Sequence, residues 1–374
     1  MTPLTVPTGR LHTPGDLVAA LPYLLGFHPV DSLVLVQLEA GAIARTLRVD
    51  LPAARNDRRA ADELALPLRG RPGLRVVVLV IGGGRGDPPE ELPREHLVAC
   101  LEASLAHAGV PVTCAVWSPA TAKGSPWLSY RDLGDSGSVP DPTTTAVAAE
   151  AVVRGFVTHR DRAALAATLA PDPEEALSRR SALLDQLVSA AGEHDHDDPA
   201  TMFRRRELVR AQVAKAQHRT APLTDPEVAD LAYALSDLWV RDASMGDAIG
   251  PHAVGAERLW TELTRATPHP EMAEPATLLA FTAYVRGDGV LTRIALDRAQ
   301  EAQPGHRLSV LLRAALDSGM PPSTVRNLAE RAAAAPWLPT EADLAPEAAD
   351  HPPGGGPAPA GAPPDNRPGG EGST

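Results

Sequence analysis

Several short stretches of this chain carry residue types that could do chemistry. In Phe27-His28-Pro29-Val30-Asp31-Ser32 an imidazole, a carboxylate and a hydroxyl lie close together, the groups of a base, an orienting acid and a nucleophile. Catalysis needs them aligned in space, which adjacency in sequence does not provide. Gly26, Pro29, Asp31 and Ser32 are also the residue types that shape and cap a helix-to-strand turn, and that structural reading is the stronger. A second stretch, Gly82-Gly83-Gly84-Arg85-Gly86-Asp87, follows a strand pattern and precedes a helix, the place where α/β folds hold phosphates on backbone N–H groups. Here Asp87 takes the position of the third glycine of G-x-G-x-x-G, no Gly-Lys-Ser/Thr follows, and Pro88-Pro89-Glu90-Glu91 brings carboxylates near any anion. A solvent loop is the preferred reading. A ligand site made from these stretches would use Asp31, Ser32, Asp50, Gly82, Gly83 and Gly84; no catalytic residue and no cofactor is assigned.

Glu193-His194-Asp195-His196-Asp197-Asp198 is the densest set of metal-ligating types, and imidazole with carboxylate suits Zn²⁺, Ni²⁺ or Mn²⁺. Gly192 and Pro199 bracket it as a loop between helices, where such groups face water, so no metal site is assigned. Arg204, Arg205, Arg206, Arg210, Lys215 and Arg219 make one helical region basic; with Phe203 as the sole interleaved aromatic, a solvated or internally paired face is preferred over single-strand nucleic-acid binding. Arg241-Asp242 and Arg286-Gly287-Asp288 read as helix ends, with Asp capping the following helix and Arg complementing the preceding carbonyls or pairing between helices.

The elements that must position these residues follow from local pattern. Thr13-Pro14-Gly15-Asp16 is a helix start, with Thr13 as N-cap and Pro14 at the first helical position; the helix runs to about Leu25, and Gly26 and Pro29 end it. Ser32 to Leu38 and Ala42 to Val49 form a hairpin around Glu39-Ala40-Gly41. Asp57 to Leu68 is helical, Leu74 to Ile81 is a central strand buried on both faces, about Pro93 to Ala108 is a helix, Val110 to Trp117 a strand, and Trp127 to Tyr130 a short edge strand. Beyond Pro142 the pattern is helical throughout, with helices near 143–154, 160–169, 173–190, 200–217, 225–239, 254–266, 273–286, 289–301, 306–318 and 322–334. Leu279-Ala280, Ala283, Gly287, Leu296, Ala299 and Pro304 have the spacing of one tetratricopeptide repeat, although a stable array needs about three.

The fold class is therefore α/β plus all-α: a mixed-sheet α/β domain over 8–135, a partly tetratricopeptide-like helical domain over 142–340, and a Pro/Gly/Ala-rich tail over 345–374 expected to be disordered. A chain of 374 residues suffices for about two domains. Aromatics are 3% of residues and hydrophobics 44%, so Leu, Val and Ala must build the cores. The net charge of −12 argues against broad phosphate-backbone binding. No apolar run approaches the roughly 18 residues of a membrane span, and Met1 to Arg10 lacks the features of a signal peptide. With two cysteines, Cys100 and Cys114, no disulfide framework is expected. The expected location is the cytoplasm.

Leu24-Leu25-Gly26-Phe27-His28-Pro29-Val30-Asp31-Ser32-Leu33-Val34 and Arg48-Val49-Asp50-Leu51-Pro52 together resemble an actinobacterial family catalogued as domain of unknown function 4192. Arg160-Asp161-Arg162-Ala163-Ala164-Leu165, Val240-Arg241-Asp242, Arg286-Gly287-Asp288-Gly289 and Ala295-Leu296-Asp297-Arg298-Ala299 extend the likeness over residues 10–322. The resemblance implies an actinobacterial, cytoplasmic origin and brings no activity to carry over. Two expectations remain. The preferred one is a binding or scaffold protein offering its helical array to a protein partner. The other is a small-ligand or nucleotide-binding enzyme or sensor with its site in the α/β domain.

Overall fold

Helix α1 (Pro14–Leu25) starts as its sequence prescribes. The Thr13 hydroxyl accepts the Asp16 N–H and the Asp16 carboxylate accepts the Thr13 N–H, a reciprocal capping box. Gly26, at φ 76°, closes the helix in the left-handed conformation that glycine adopts without steric cost. The chain is described, in this computed structural model, over residues 13–84, 91–153, 157–191 and 198–333. These residues all fall within one unit of the chain, Met1–Leu338, and a second unit, Pro339–Thr374, lies outside them, as does the expected disordered tail.

The expected hairpin is β1 (Ser32–Glu39) and β2 (Ala42–Asp50), paired antiparallel from Ser32 opposite Asp50 to Glu39 opposite Ala42. After α2 (Asp57–Ala65), β3 (Arg75–Ile81) lies antiparallel to β1; after α3 (Glu95–His107), β4 (Val112–Ser118) lies parallel to β3. Two short antiparallel strands, β5 (Pro126–Ser129) and β6 (Ser136–Ser138), complete a six-stranded mixed sheet in the order β2-β1-β3-β4-β5-β6. β6 has no counterpart in the sequence reading, because Ser136-Gly137-Ser138 carries none of the β-branched or aromatic residues that mark a strand.

Alternation along the strands divides the core. Leu33, Leu35, Val76, Val78, Val80, Ala115 and Trp117 pack with Ala61 of α2 and Leu97, Leu101 and Leu105 of α3. The intervening Val34, Val36, Val77, Leu79, Ile81 and Val116 cluster with Leu17, Leu21 and Leu25 of α1 and with helices from the C-terminal half, including Trp260, Phe281 and Tyr284. Each fully buried large side chain is worth about 1.5–3 kcal/mol of transfer free energy, so sheet and helices are held by one shared apolar layer.

The helices after the sheet are α4 (Ala146–Val153), α5 (Arg162–Ala167), α6 (Glu174–Ala190), α7 (Pro199–Ala216), α8 (Asp225–Leu235), α9 (Leu238–Ser244), α10 (Ala253–Ala266), α11 (Ala273–Arg286), α12 (Gly289–Ala302), α13 (Arg307–Asp317) and α14 (Pro322–Ala333). The helix expected over 225–239 is two helices. Asp237 breaks it and caps α9 by accepting the Trp239 and Val240 N–H groups. Arg241-Asp242 accordingly lies within the short α9, with Arg241 in its last turn, and Arg241 pairs with Asp242 and, between helices as expected, with Glu274 of α11. The repeat-like hairpin is present as α11 and α12, with Leu279, Ala280, Ala283, Leu296 and Ala299 all buried. α11 is buried on nearly all sides, as a helix apolar all round must be. No helix among the described residues is long and apolar enough to cross a membrane.

Candidate functional site

The first candidate corner does come together at one end of the sheet. β1 begins at Ser32, opposite both Asp50 of β2 and Ile81 of β3. Asp31 adopts φ 42°, and its carboxylate accepts the Gly83 N–H at 2.7 Å while its carbonyl accepts the Leu51 N–H at 2.9 Å. The Asp31 carboxylate thus occupies the place on this turn where an external anion would sit. Ser32 is buried; its hydroxyl donates to the Val30 carbonyl at 2.7 Å and accepts from Arg48 Nε at 2.8 Å. Arg48 also pairs with Asp50 at 2.5 Å. The His28 ring turns away to the Thr121 hydroxyl at 3.2 Å, so imidazole, hydroxyl and carboxylate do not line up as a relay.

The glycines serve packing here. A Cβ at Gly82 would lie 2.7 Å from Asp31 Oδ1, one at Gly83 2.6 Å from Leu51 Cδ1, and one at Gly84 2.5 Å from Pro93 Cγ. Residues 85–90 of the loop lie outside the described residues, as do 193–197 of the His/Asp cluster; Asp198 of that cluster caps α7. No group of metal-ligating side chains occurs among the described residues. The basic stretch of α7 is spent internally in part: Arg205 stacks over Tyr233 at 4.7 Å and pairs with Asp237 at 3.5 Å, and Arg206 pairs with Asp247 at 3.0 Å, while Arg204, Arg210 and Lys215 are exposed.

A second candidate site lies elsewhere. A cavity of about 610 Å³ is bounded by α1 (Tyr23, Leu24), β2 (Ile43, Thr46), the end of α7 and the loop after it (Ala216, Arg219, Leu223), α10, the end of α11 (Thr282, Val285, Arg286), Asp288 and Arg326 of α14. Leu24, Ile43, Ala216, Leu223, Val254 and Val285 form apolar wall, and among the described residues six arginines (180, 219, 258, 265, 286 and 326) face four carboxylates (Asp172, Glu257, Glu262 and Asp288). α10 supplies much of this. Its apolar stripe, Ala256, Leu259, Trp260 and Leu263, is buried in the core, which leaves Glu257, Arg258, Thr261, Glu262 and Arg265 to line the cavity.

Most of the charges hold one another. Arg286 reaches Glu257 at 3.1 Å and Asp288 at 3.1 Å. Arg219 pairs with Glu262, whose other oxygen accepts the Leu223 N–H at 2.6 Å. Asp172 bridges Arg180 at 2.8 Å and Arg265 at 3.2 Å. Arg258, on the exposed rim, donates to the Gln217 carbonyl at 2.6 Å rather than to a carboxylate. Burial pushes the Glu257 carboxyl above the usual carboxylate range; Arg286 opposes the shift and Asp288 adds to it. Burial works against the Arg286 cation, but Glu257 and Asp288 together raise it above its ordinary value.

Of these residues the sequence reading singled out Arg219, Arg286 and Asp288, for helix-face and capping reasons. Asp288 does cap α12, accepting the Val290 and Leu291 N–H groups. Asp172, Arg180, Arg258, Glu262 and Arg265 went unmarked. The available signal was the charged stripe of α10, which a single helix cannot distinguish from a solvated face.

An α/β sheet bearing a helical layer with a charged cavity defines a class of architecture and no activity. A family model for a domain of unknown function, DUF4192, matches residues 14–323, and the chain belongs to that family. No curated protein matches the chain, and no solved structure does.

Proposed function

We propose that this protein binds a small organic anion with an apolar body in the cavity between α10, α11, α1 and β2. The observation that carries this reading is the cavity's composition: about 610 Å³ of space, apolar wall, and six arginines against four carboxylates. That volume is in the range of ligand sites, roughly 300–1,000 Å³. Because ion pairs already hold most of the charged side chains in place, little rotamer entropy would be lost on binding, and Arg258 at the rim offers an anion a cation not matched to a carboxylate among the described residues. The free thiols Cys100 and Cys114 support a reducing compartment and hence the cytoplasm. The net charge of −12 supports a ligand other than nucleic acid.

A second reading keeps the expected protein partner. Leu238 and Trp239, adjacent at the start of α9, are 58% and 39% exposed, and Leu208 of α7, a helix packed on α9, is 37% exposed; these are the apolar side chains a partner could cover. One experiment separates the readings: native mass spectrometry of the chain recovered from cells. The small-ligand reading expects one added small-molecule mass that is lost in Thr261→Phe, which projects a ring into the cavity from its α10 wall. A protein complex lost in Leu238→Asp would favour the second reading. A bare chain in every sample would count against both.

A further inference from the structure

The geometry points to a separate oxyanion site in the small pocket where β2 meets the start of α12. This pocket, of about 40 Å³, is lined by four arginines (45, 48, 162 and 293) and by Gly289 and Val290 in the first turn of α12, with no carboxylate among the described residues that line it. It has room for about three waters at 10–15 Å³ each, the bulk of one phosphate or sulfate.

The carboxylate partners of three of these arginines do not line the pocket. Arg48 pairs with Asp50 at 2.5 Å, Arg162 with Asp297 at 4.0 Å and Arg293 with Asp317 at 2.7 Å. Arg45 differs. It is 5% exposed, its Nη2 donates to the Leu316 carbonyl at 3.1 Å, and no carboxylate lies within ion-pairing distance of it among the described residues. A buried guanidinium with no carboxylate paired to it is costly, and burial pulls its pKa below the ordinary arginine value, with Arg71 and Arg293 adding to the shift and Tyr284 and Asp317 opposing it. The positive end of the 14-residue α12 adds to the same field. Arginine suits oxyanions because its planar fork bonds two oxygens at once. Thr46 borders both this pocket and the larger cavity, but the site does not depend on the larger cavity's ligand.

Gly289 provides a clean test. A Cβ there would lie 3.7 Å from Thr46 O and 3.9 Å from Leu316 Cδ1, ordinary contact distances between two pocket-lining residues. Gly289→Ala therefore takes up pocket space while keeping the fold and all four arginines. Calorimetric titration of the full chain with inorganic phosphate and with sulfate, at matched ionic strength against chloride, should give saturable one-to-one binding. Gly289→Ala should weaken it at least tenfold with no loss of melting temperature, and Arg45→Met should abolish it. Thr261→Phe should leave it intact, which separates this site from the larger cavity. Glycerol phosphate is the comparison arm: binding as tight as that of phosphate assigns the site to a phosphate ester, and binding at least tenfold weaker assigns it to the free ion. Absence of saturable binding by both phosphate and sulfate, or binding undiminished in Gly289→Ala, would overturn the inference.

Discussion

Asp31 and Glu257 illustrate two fates of a carboxylate next to backbone donors and cations. Asp31, in the stretch that looked most chemical in sequence, accepts the Gly83 N–H and steadies a turn. Glu257, in a stretch that looked like helix surface, is half-buried beside Arg286 and Asp288. The raised pKa of Glu257 has a consequence for stability. The folded chain holds this proton more tightly than the unfolded chain, so the contribution is complete below the unfolded value of about 4.3 and is lost as pH rises through the folded value. Glu257→Gln keeps the shape and removes the titration. Urea unfolding followed across that window should show stability falling less with pH in the variant than in the wild type; equal slopes would mean that Arg286 fully offsets the burial. Capping roles at this scale were legible where the donor is local, as for Thr13, Gly26 and Asp288. For Arg241-Asp242 the inter-helix pairing holds, Arg241 with Glu274, while the capping role of Asp242 does not, because the break at Asp237 starts a new helix that takes in both residues.

At the scale of elements, hydrophobic period and punctuation sufficed for the hairpin, β3, β4 and most helices, since each carries its own pattern. The split between α8 and α9 and the strand β6 were not legible, because the first rests on a side-chain cap within a continuous helical pattern and the second on pairing with β5. The approach of α10 to α7 was also hidden, and it holds two walls of the cavity together. A Cβ at Gly255 of α10 would lie 2.3 Å from the Val213 carbonyl of α7, so the two backbones touch where only glycine fits. Gly255→Ala should cost about 1–3 kcal/mol as the helices are forced apart, even though alanine is the better helix former. Thermal unfolding measures this directly, and a variant as stable as the wild type would show that α7 yields without penalty.

For the molecule as a whole, the class of fold was readable and the cavity was not. Alternating strands and helices followed by helices alone point to a mixed sheet with a helical region, and that is what is found. The cavity joins residues from α1 to α14, far apart in sequence, and no local spacing encodes their meeting. Its arginines and carboxylates are individually ordinary; they acquire meaning when α10 turns its apolar stripe into the core and its charged face toward α1 and β2. A fluorescence titration with 1-anilinonaphthalene-8-sulfonate, an apolar body bearing one anionic group, tests the proposed cavity function most directly. Saturable one-to-one binding is expected in the wild type, loss of that binding in Thr261→Phe with an unchanged circular dichroism spectrum, and several-fold weakening in Arg258→Met. Binding of equal strength in the wild type and Thr261→Phe, or none in the wild type, would contradict it.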